Sequence, residues 1–266
     1  MRRRIVITGM GVITPLGHNV QDLYTSQIEG RSGVGPIKHF DARTFPTTFA
    51  SQVKDFDLGR FVPRAERWAT CGLNTRFALA AGRQALEDAG LLDNNRVERT
   101  NMGIYLGSGE GSHDFKHLVE STARSVGPDG YRVDLRTFYH LSRRAFTPAR
   151  ESEMEMQTTS GHLAETFDLQ GPNFTCQTAC AASSQAIGEA LEIIRHGDAD
   201  VMLSGGAHSM IHPLGVTGFN LLTALSQRND APQKASRPFD LTRDGFVLGE
   251  GSGMVVLEEL EHAKKR

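Results

Sequence analysis

One stretch of this sequence combines a reactive side chain with a backbone pattern able to activate it. Asn173-Phe174-Thr175-Cys176-Gln177-Thr178-Ala179-Cys180-Ala181-Ala182-Ser183-Ser184 reads as a strand, a sharp turn and a helix start, with small residues crowding the turn. A thiol at Cys180 would meet the unsatisfied N–H groups of a first helical turn and the positive end of its dipole, which stabilise a thiolate and make it a nucleophile. Small neighbours leave space for a substrate. The competing description is a small buried hydrophobe, the usual state of a free cysteine, and residue types alone do not separate the two. Cys176, in the strand, and Cys71, in an expected amphipathic helix, are read as packing residues. The three cysteines have the spacing of neither a disulfide framework nor a zinc site, which fits a reducing compartment.

Other chemical patterns are weaker. His113-Asp114-Phe115-Lys116-His117 puts two histidines one helical turn apart, but has Asp where a zinc-protease helix needs Glu and offers no third ligand, so a solvated helix face is expected. Gly107-Ser108-Gly109-Glu110-Gly111-Ser112 lacks the Lys and Ser/Thr of a phosphate loop and the spacing of a dinucleotide fold.

Positioning these residues falls to alternating strands and helices. Ile5–Thr8, Gly103–Gly107, Asn173–Thr178, Asp200–Ser204 and Gly253–Glu258 are short apolar runs that suit strands covered on both faces. The first is expected to enter a glycine turn. Leu73, Phe77, Ala80, Ala81, Ala85 and Ala89 repeat at helical spacing up to Gly90, and Ile187, Ala190, Leu191 and Ile194 do so up to Gly197. The pattern predicts a layered α/β domain with a mixed, mostly parallel sheet and helices on both faces. Asp114–Arg150 is charged and weakly periodic, an excursion expected to hold a helix or two.

The 266 residues, 39% hydrophobic and 23% charged, suffice for a large core. A net charge of -2 supplies no general attraction to nucleic acid or an anionic membrane. The basic start Met1-Arg2-Arg3-Arg4 precedes an apolar run broken by Thr8, Gly9 and Gly11, unlike a signal peptide, and no stretch approaches the roughly 18–20 apolar residues of a membrane span. A cytoplasmic protein is expected. The last residues, Leu260 to Arg266, read as the beginning of another charged connection.

Several motifs together resemble one family. Thr178-Ala179-Cys180-Ala181-Ala182-Ser183-Ser184, Gly197-Asp198-Ala199-Asp200, Gly205-Gly206-Ala207, Ala224-Leu225-Ser226 with Arg228-Asn229-Asp230, and Arg237-Pro238-Phe239-Asp240 through Arg243-Asp244-Gly245-Phe246-Val247-Leu248-Gly249-Glu250-Gly251 occur in the order found in β-ketoacyl-acyl-carrier-protein synthases of the KAS II type. The opening Val6-Ile7-Thr8-Gly9-Met10-Gly11 is similar too. The resemblance implies a thiolase-like fold of two α/β halves, with residues 1–266 the N-terminal, nucleophile-bearing half and the C-terminal half absent. It implies an acyltransferase without metal or organic cofactor. Cys180 would accept an acyl group from acyl carrier protein, and a malonyl carrier protein would then decarboxylate and attack the thioester in fatty acid or polyketide synthesis. The Cys180 N–H would supply half of the oxyanion hole.

The same resemblance assigns lower-order roles. Phe219 corresponds to a pocket-lining phenylalanine, Glu110 lies in a loop bordering the acyl pocket, and His162 corresponds to a structural Gly-His histidine. Arg60, Arg64 and Arg67 form a basic cluster able to meet an acidic carrier protein. The family's members are homodimers that pair the strand before the cysteine. Its two catalytic histidines, its lysine and its glycine-rich Phe turn have no counterpart in these residues, so the isolated chain is expected to be inactive in condensation. Two rival readings remain: a non-catalytic binding or assembly protein of the same fold, and a thiolase-fold acyltransferase acting on coenzyme A thioesters.

Overall fold

Each apolar run becomes a strand because helices or loops cover it. In the computed structural model, which describes residues 3–92, 94, 97–109, 111 and 114–266, β1 (Ile5–Ile13) leads to α1 (Val20–Ile28) and a hairpin of β2 (Val34–Pro36) and β3 (Phe49–Ser51). α2 (Leu73–Asp88) and β4 (Met102–Ser108) follow. The charged excursion holds α3 (Phe115–Ala123), α4 (Leu135–Ala145) and α5 (Pro148–Glu151), and α6 (Met156–Phe167) returns the chain to β5 (Asn173–Cys176). α7 (Ala182–His196), β6 (Val201–His208), α8 (Pro213–Leu221), β7 (Gly251–Glu259) and α9 (Leu260–Lys265) complete it.

The main sheet has the order β1-β7-β6-β4-β5. β4 runs parallel to both β5 and β6, while β7 lies antiparallel between β1 and β6, so the pairings of this mixed sheet divide evenly. Alternation along the central strands separates two cores. Leu203, Met254 and Val256 join α2 and α6 through Phe77, Leu163 and Phe167, whereas Met202 and Leu257 pack on Ala190 and Ile194 of α7. Helices therefore cover both faces. Each fully buried Leu or Phe contributes about 1.5–3 kcal/mol relative to exposure, and Phe77, Leu79, Leu86, Leu163 and Met202 are among those with the least exposure.

The expected glycine turn after Thr8 is replaced by continuous strand. A Cβ on Gly9 would lie 2.1 Å from the Ala85 carbonyl oxygen, and one on Gly11 2.0 Å from that of Ala81. These glycines let α2 press its backbone onto β1. The helix and strand ends agree with the periodicity elsewhere: α7 stops at Gly197, which caps it with φ 91°. Cys71 sits in the turn before α2, not inside the helix, and is 9% exposed. Among the described residues no helix is long and apolar enough to cross a membrane.

Two buried carboxylates tie β7 to α9 and hold the site loops. Glu258 accepts hydrogen bonds from the Arg266 guanidinium at 2.7 and 2.8 Å and pairs with His262 Nδ1 at 2.7 Å. Burial would push its carboxyl up, but these partners hold it below the ordinary value. Glu250 receives the Val53 N–H at 3.0 Å and the Ser209 hydroxyl at 2.7 Å, and meets His39 Nε2 at 2.9 Å.

Replacing Gly11 with Ala should lower the stability of the 266-residue chain by about 3 kcal/mol, because a backbone carbonyl cannot yield as a flexible side chain would. Gly188 in α7 has nothing within 4 Å of its missing Cβ. Gly188→Ala should raise stability by up to about 1 kcal/mol through helix propensity. Urea unfolding of both variants checks the contrast, and equal effects would contradict it.

Candidate active site

The three parallel strands β4, β5 and β6 end together, and α7 begins directly over them. A Cβ on Gly107 would lie 2.4 Å from both the Ala182 carbonyl carbon and the Ser183 nitrogen, and one on Gly206 2.8 Å from the Ser183 Cβ. The two glycines are paired across β4 and β6. They form a floor without side chains on which the first turn of α7 rests.

Between β5 and α7 the chain turns through Ala179, whose φ of 48° is left-handed. For a residue with a Cβ that conformation costs roughly 1–2 kcal/mol. The strain reverses the chain quickly enough for Ala179–Ala181 to form a short 3-10 turn running straight into α7, with the Ala181 N–H donating to the Thr178 carbonyl at 3.1 Å. Cys180 stands in the middle of that turn and is exposed. The buried-hydrophobe description of Cys180 is therefore inconsistent with this structure.

The other thiols differ. Cys176 Sγ–H donates to the Ala182 carbonyl at 3.3 Å, and burial with nearby Glu189 pushes this thiol up. Burial and Glu153 push Cys71 up to about 12. Both surroundings disfavour the thiolate.

An apolar cavity of about 830 Å³ opens beside this turn, with Gln177, three residues before Cys180, in its lining. Met154 and Met156 form part of one wall, and Met210, Leu214, Phe219 and Leu222 line it from β6 onward and from α8. Phe219 is set edge-on to Phe246, ring centroids 5.4 Å apart, so its position is braced from behind. His212 also lines the cavity, and its Nδ1 accepts the Gly215 N–H at 3.2 Å, which assigns its ring hydrogen to Nε2. Sequence reading missed the methionines and His212, since they come from segments far apart in the chain. Only the structure shows the Leu221-Leu222 pair beside them to be exposed, at 79% and 71%.

The structure separates the remaining candidates. Glu110 lies outside the described residues, as does His113. His117 is half-buried and pairs through Nδ1 with Asp114 at 2.7 Å, with Arg150 also on Asp114 at 3.1 Å, so the N-cap of α3, Asp114, holds its ring instead of leaving a solvated face. His162 Nε2 meets Glu153 at 2.8 Å and its ring packs on Trp68. Arg60 and Arg64 are exposed. Arg67 is engaged by Glu165 at 2.5 Å and lies over the Trp68 ring. All three arginines belong to the segment packed on the α2 side, whereas Cys180 heads α7 on the opposite side of the sheet.

Residues 2–263 match the family described as Beta-ketoacyl synthase, N-terminal domain. The chain belongs to the β-ketoacyl synthase family. Among the relatives of this β-ketoacyl synthase domain, the 3-oxoacyl-[acyl-carrier-protein] synthase 2 of Coxiella burnetii is 42% identical over 100% of this chain and 60% of its own length. That of Synechocystis is 39% identical with the same shares. The chain thus spans about 60% of the length of these curated relatives. A β-ketoacyl synthase structure from Burkholderia phymatum superposes with a TM-score of 0.83 at 33% identity, covering 100% of this chain and 61% of that one. A chain in a structure of a type II polyketide acyl-carrier protein in complex with its ketosynthase matches with a TM-score of 0.78 at 27% identity, covering 100% of this chain and 60% of the matched one. These likenesses bear out the expected thiolase-like α/β fold and the KAS II type.

Two measurements probe the turn. Limiting iodoacetamide at pH 8 should alkylate Cys180 first and Cys71 last, read by peptide mapping; prior labelling of Cys71 would contradict the burial assignments. Ala179→Gly relieves the left-handed strain but loosens the unfolded chain by up to about 1 kcal/mol, so its urea midpoint should stay level or rise. Ala179→Val should lower it.

Proposed function

We propose that this chain is the nucleophile-bearing part of a 3-oxoacyl-[acyl-carrier-protein] synthase, with Cys180 as the acyl acceptor. The observation that carries this reading is the exposed thiol on a strained turn, fixed at the head of α7 and beside an apolar cavity. The Cys180 thiolate adds to the carbonyl carbon of an acyl thioester. The tetrahedral oxyanion is stabilised in part by first-turn N–H groups, the Cys180 N–H among them, which an incipient helix leaves without intrahelical partners. Collapse breaks the original C–S bond, the carrier thiol leaves with the proton, and the acyl group remains on Sγ.

The acyl tail occupies the cavity, where Phe219 and the methionines exclude water. In the second half-reaction a malonyl carrier thioester loses carbon dioxide and the resulting carbanion attacks the Cys180 thioester. The 3-oxoacyl group leaves on the carrier and the thiol is regenerated. The names of the synthase 2 relatives support this assignment. The ketosynthase relative solved with its acyl-carrier protein supports carrier protein as the acyl donor. Arg60 and Arg64 are the free-standing members of the proposed docking cluster, with Arg67 already committed to Glu165. β5, at the sheet edge with Phe174 51% exposed, is the strand through which two copies would pair as a homodimer.

Incubation of the chain with an acyl-carrier-protein thioester should add one acyl mass, abolished in Cys180→Ala. A folded chain that gains no acyl mass, or an adduct that persists in Cys180→Ala, would overturn the assignment. Transfer from acyl-coenzyme A with none from the carrier would favour the coenzyme A acyltransferase instead.

A further inference from the structure

Away from the proposed nucleophile, three potential metal ligands converge from segments well separated in sequence. Cys71 lies in the turn before α2, Glu153 in the 3-10 turn Ser152–Met154 and His162 in α6. One ligand atom from each falls within 4.8 Å of the other two. Cys71 and Glu153 are buried, at 9% and 8% exposure, and His162 is half-buried. Glu153 is the hub: it meets His162 Nε2 at 2.8 Å and its carboxylate lies within 4.8 Å of the Cys71 sulfur.

A buried carboxylate beside a thiol is an anionic environment that charge compensation would relieve. The cation facing the cluster most directly is His162, when protonated, and Arg76 exerts a favourable field on Cys71. Thiolate, imidazole and carboxylate are the donor types zinc takes together, and three protein ligands with an open fourth position on the solvent side is a known coordination pattern. Bond lengths of about 2.0–2.3 Å require only modest contraction of the widest separations and a slight opening of the Glu153–His162 contact.

We propose that Cys71, Glu153 and His162 form a binding site for a divalent transition-metal ion, zinc by ligand chemistry. On binding, the Cys71 Sγ–H proton leaves to solvent and the sulfur lone pair bonds the metal. His162 binds through Nε2 with its ring hydrogen on Nδ1. Glu153 exchanges its contact with His162 for a metal–oxygen bond. The ion joins the α2 entry to α6 and to the turn carrying Met154, so it fastens the wall of the apolar cavity from behind.

Trp68 provides a built-in reporter, because it is the sole tryptophan and its ring lies 4.7 Å from that of His162. Titrating the metal-free 266-residue chain with cobalt(II) should produce a thiolate-to-metal charge-transfer band and quench Trp68 fluorescence, both saturating at one equivalent. Zinc should abolish the band by displacement. Cys71→Ser should lose the band, His162→Gln should weaken binding, and Cys180→Ser should retain the band, each variant first shown to be folded by circular dichroism. Absence of stoichiometric uptake by the folded chain, or a band that survives Cys71→Ser and disappears in Cys180→Ser, would overturn the proposal. These readouts are independent of acyl transfer.

Discussion

The first turn of α7 can lie against β4 and β6 only because no side chain stands at Gly107 or Gly206. That close contact sets the height of the helix over the strand ends and hence the position of everything attached to its head. The left-handed Ala179 follows from it: β5 ends too near the helix start for a relaxed connection, and the short turn stores the difference. Exposure of Cys180 is the product of both constraints. A thiol placed one turn later would face the glycine floor, and one placed earlier would share the hydrogen-bonded fate of Cys176.

The charged groups around this frame do structural work. Glu250 gathers donors from the β3 side and from the loop after β6, holding the segments that lead to the cavity. Glu258 does the same for β7 and α9 through Arg266 and His262. Since its carboxyl titrates below the ordinary value, its ionised form favours the folded state above the normal carboxylate range, and that contribution fades as pH falls through the lowered value. Acid therefore loosens the strand at the centre of the antiparallel part of the sheet.

Much of this was legible in the residues. Apolar runs bounded by turns located the five main strands, and α2 and α7 were marked by their periodicity and by the glycines after them. The strand-turn-helix reading of 173–184 was correct in outline, since small residues have few other reasons to cluster there. What could not be read was the reason for Gly9 and Gly11, because a glycine demanded by an approaching helix looks identical in sequence to one demanded by a turn. The cavity was also hidden: its lining comes from residues 154–156, from Gln177 and from the stretch between Met210 and Leu222, and only tertiary packing joins them. For the same reason Cys71 showed no metal-ligand spacing, although Glu153 and His162 lie beside it in space.

The order of strands has a consequence for assembly of the molecule. β7, far from β1 in sequence, inserts between β1 and β6, and Ile5 of β1 pairs with Glu259 of β7. During synthesis β1 thus waits with its inner edge unpaired until β7 has emerged. Such non-local pairing carries a loop-closure entropy that must be met before any contact rewards it, which slows folding. Early contacts of α2 on β1 through Gly9 and Gly11 give the waiting strand one covered face in the interval, limiting the surface it offers to other unfinished chains.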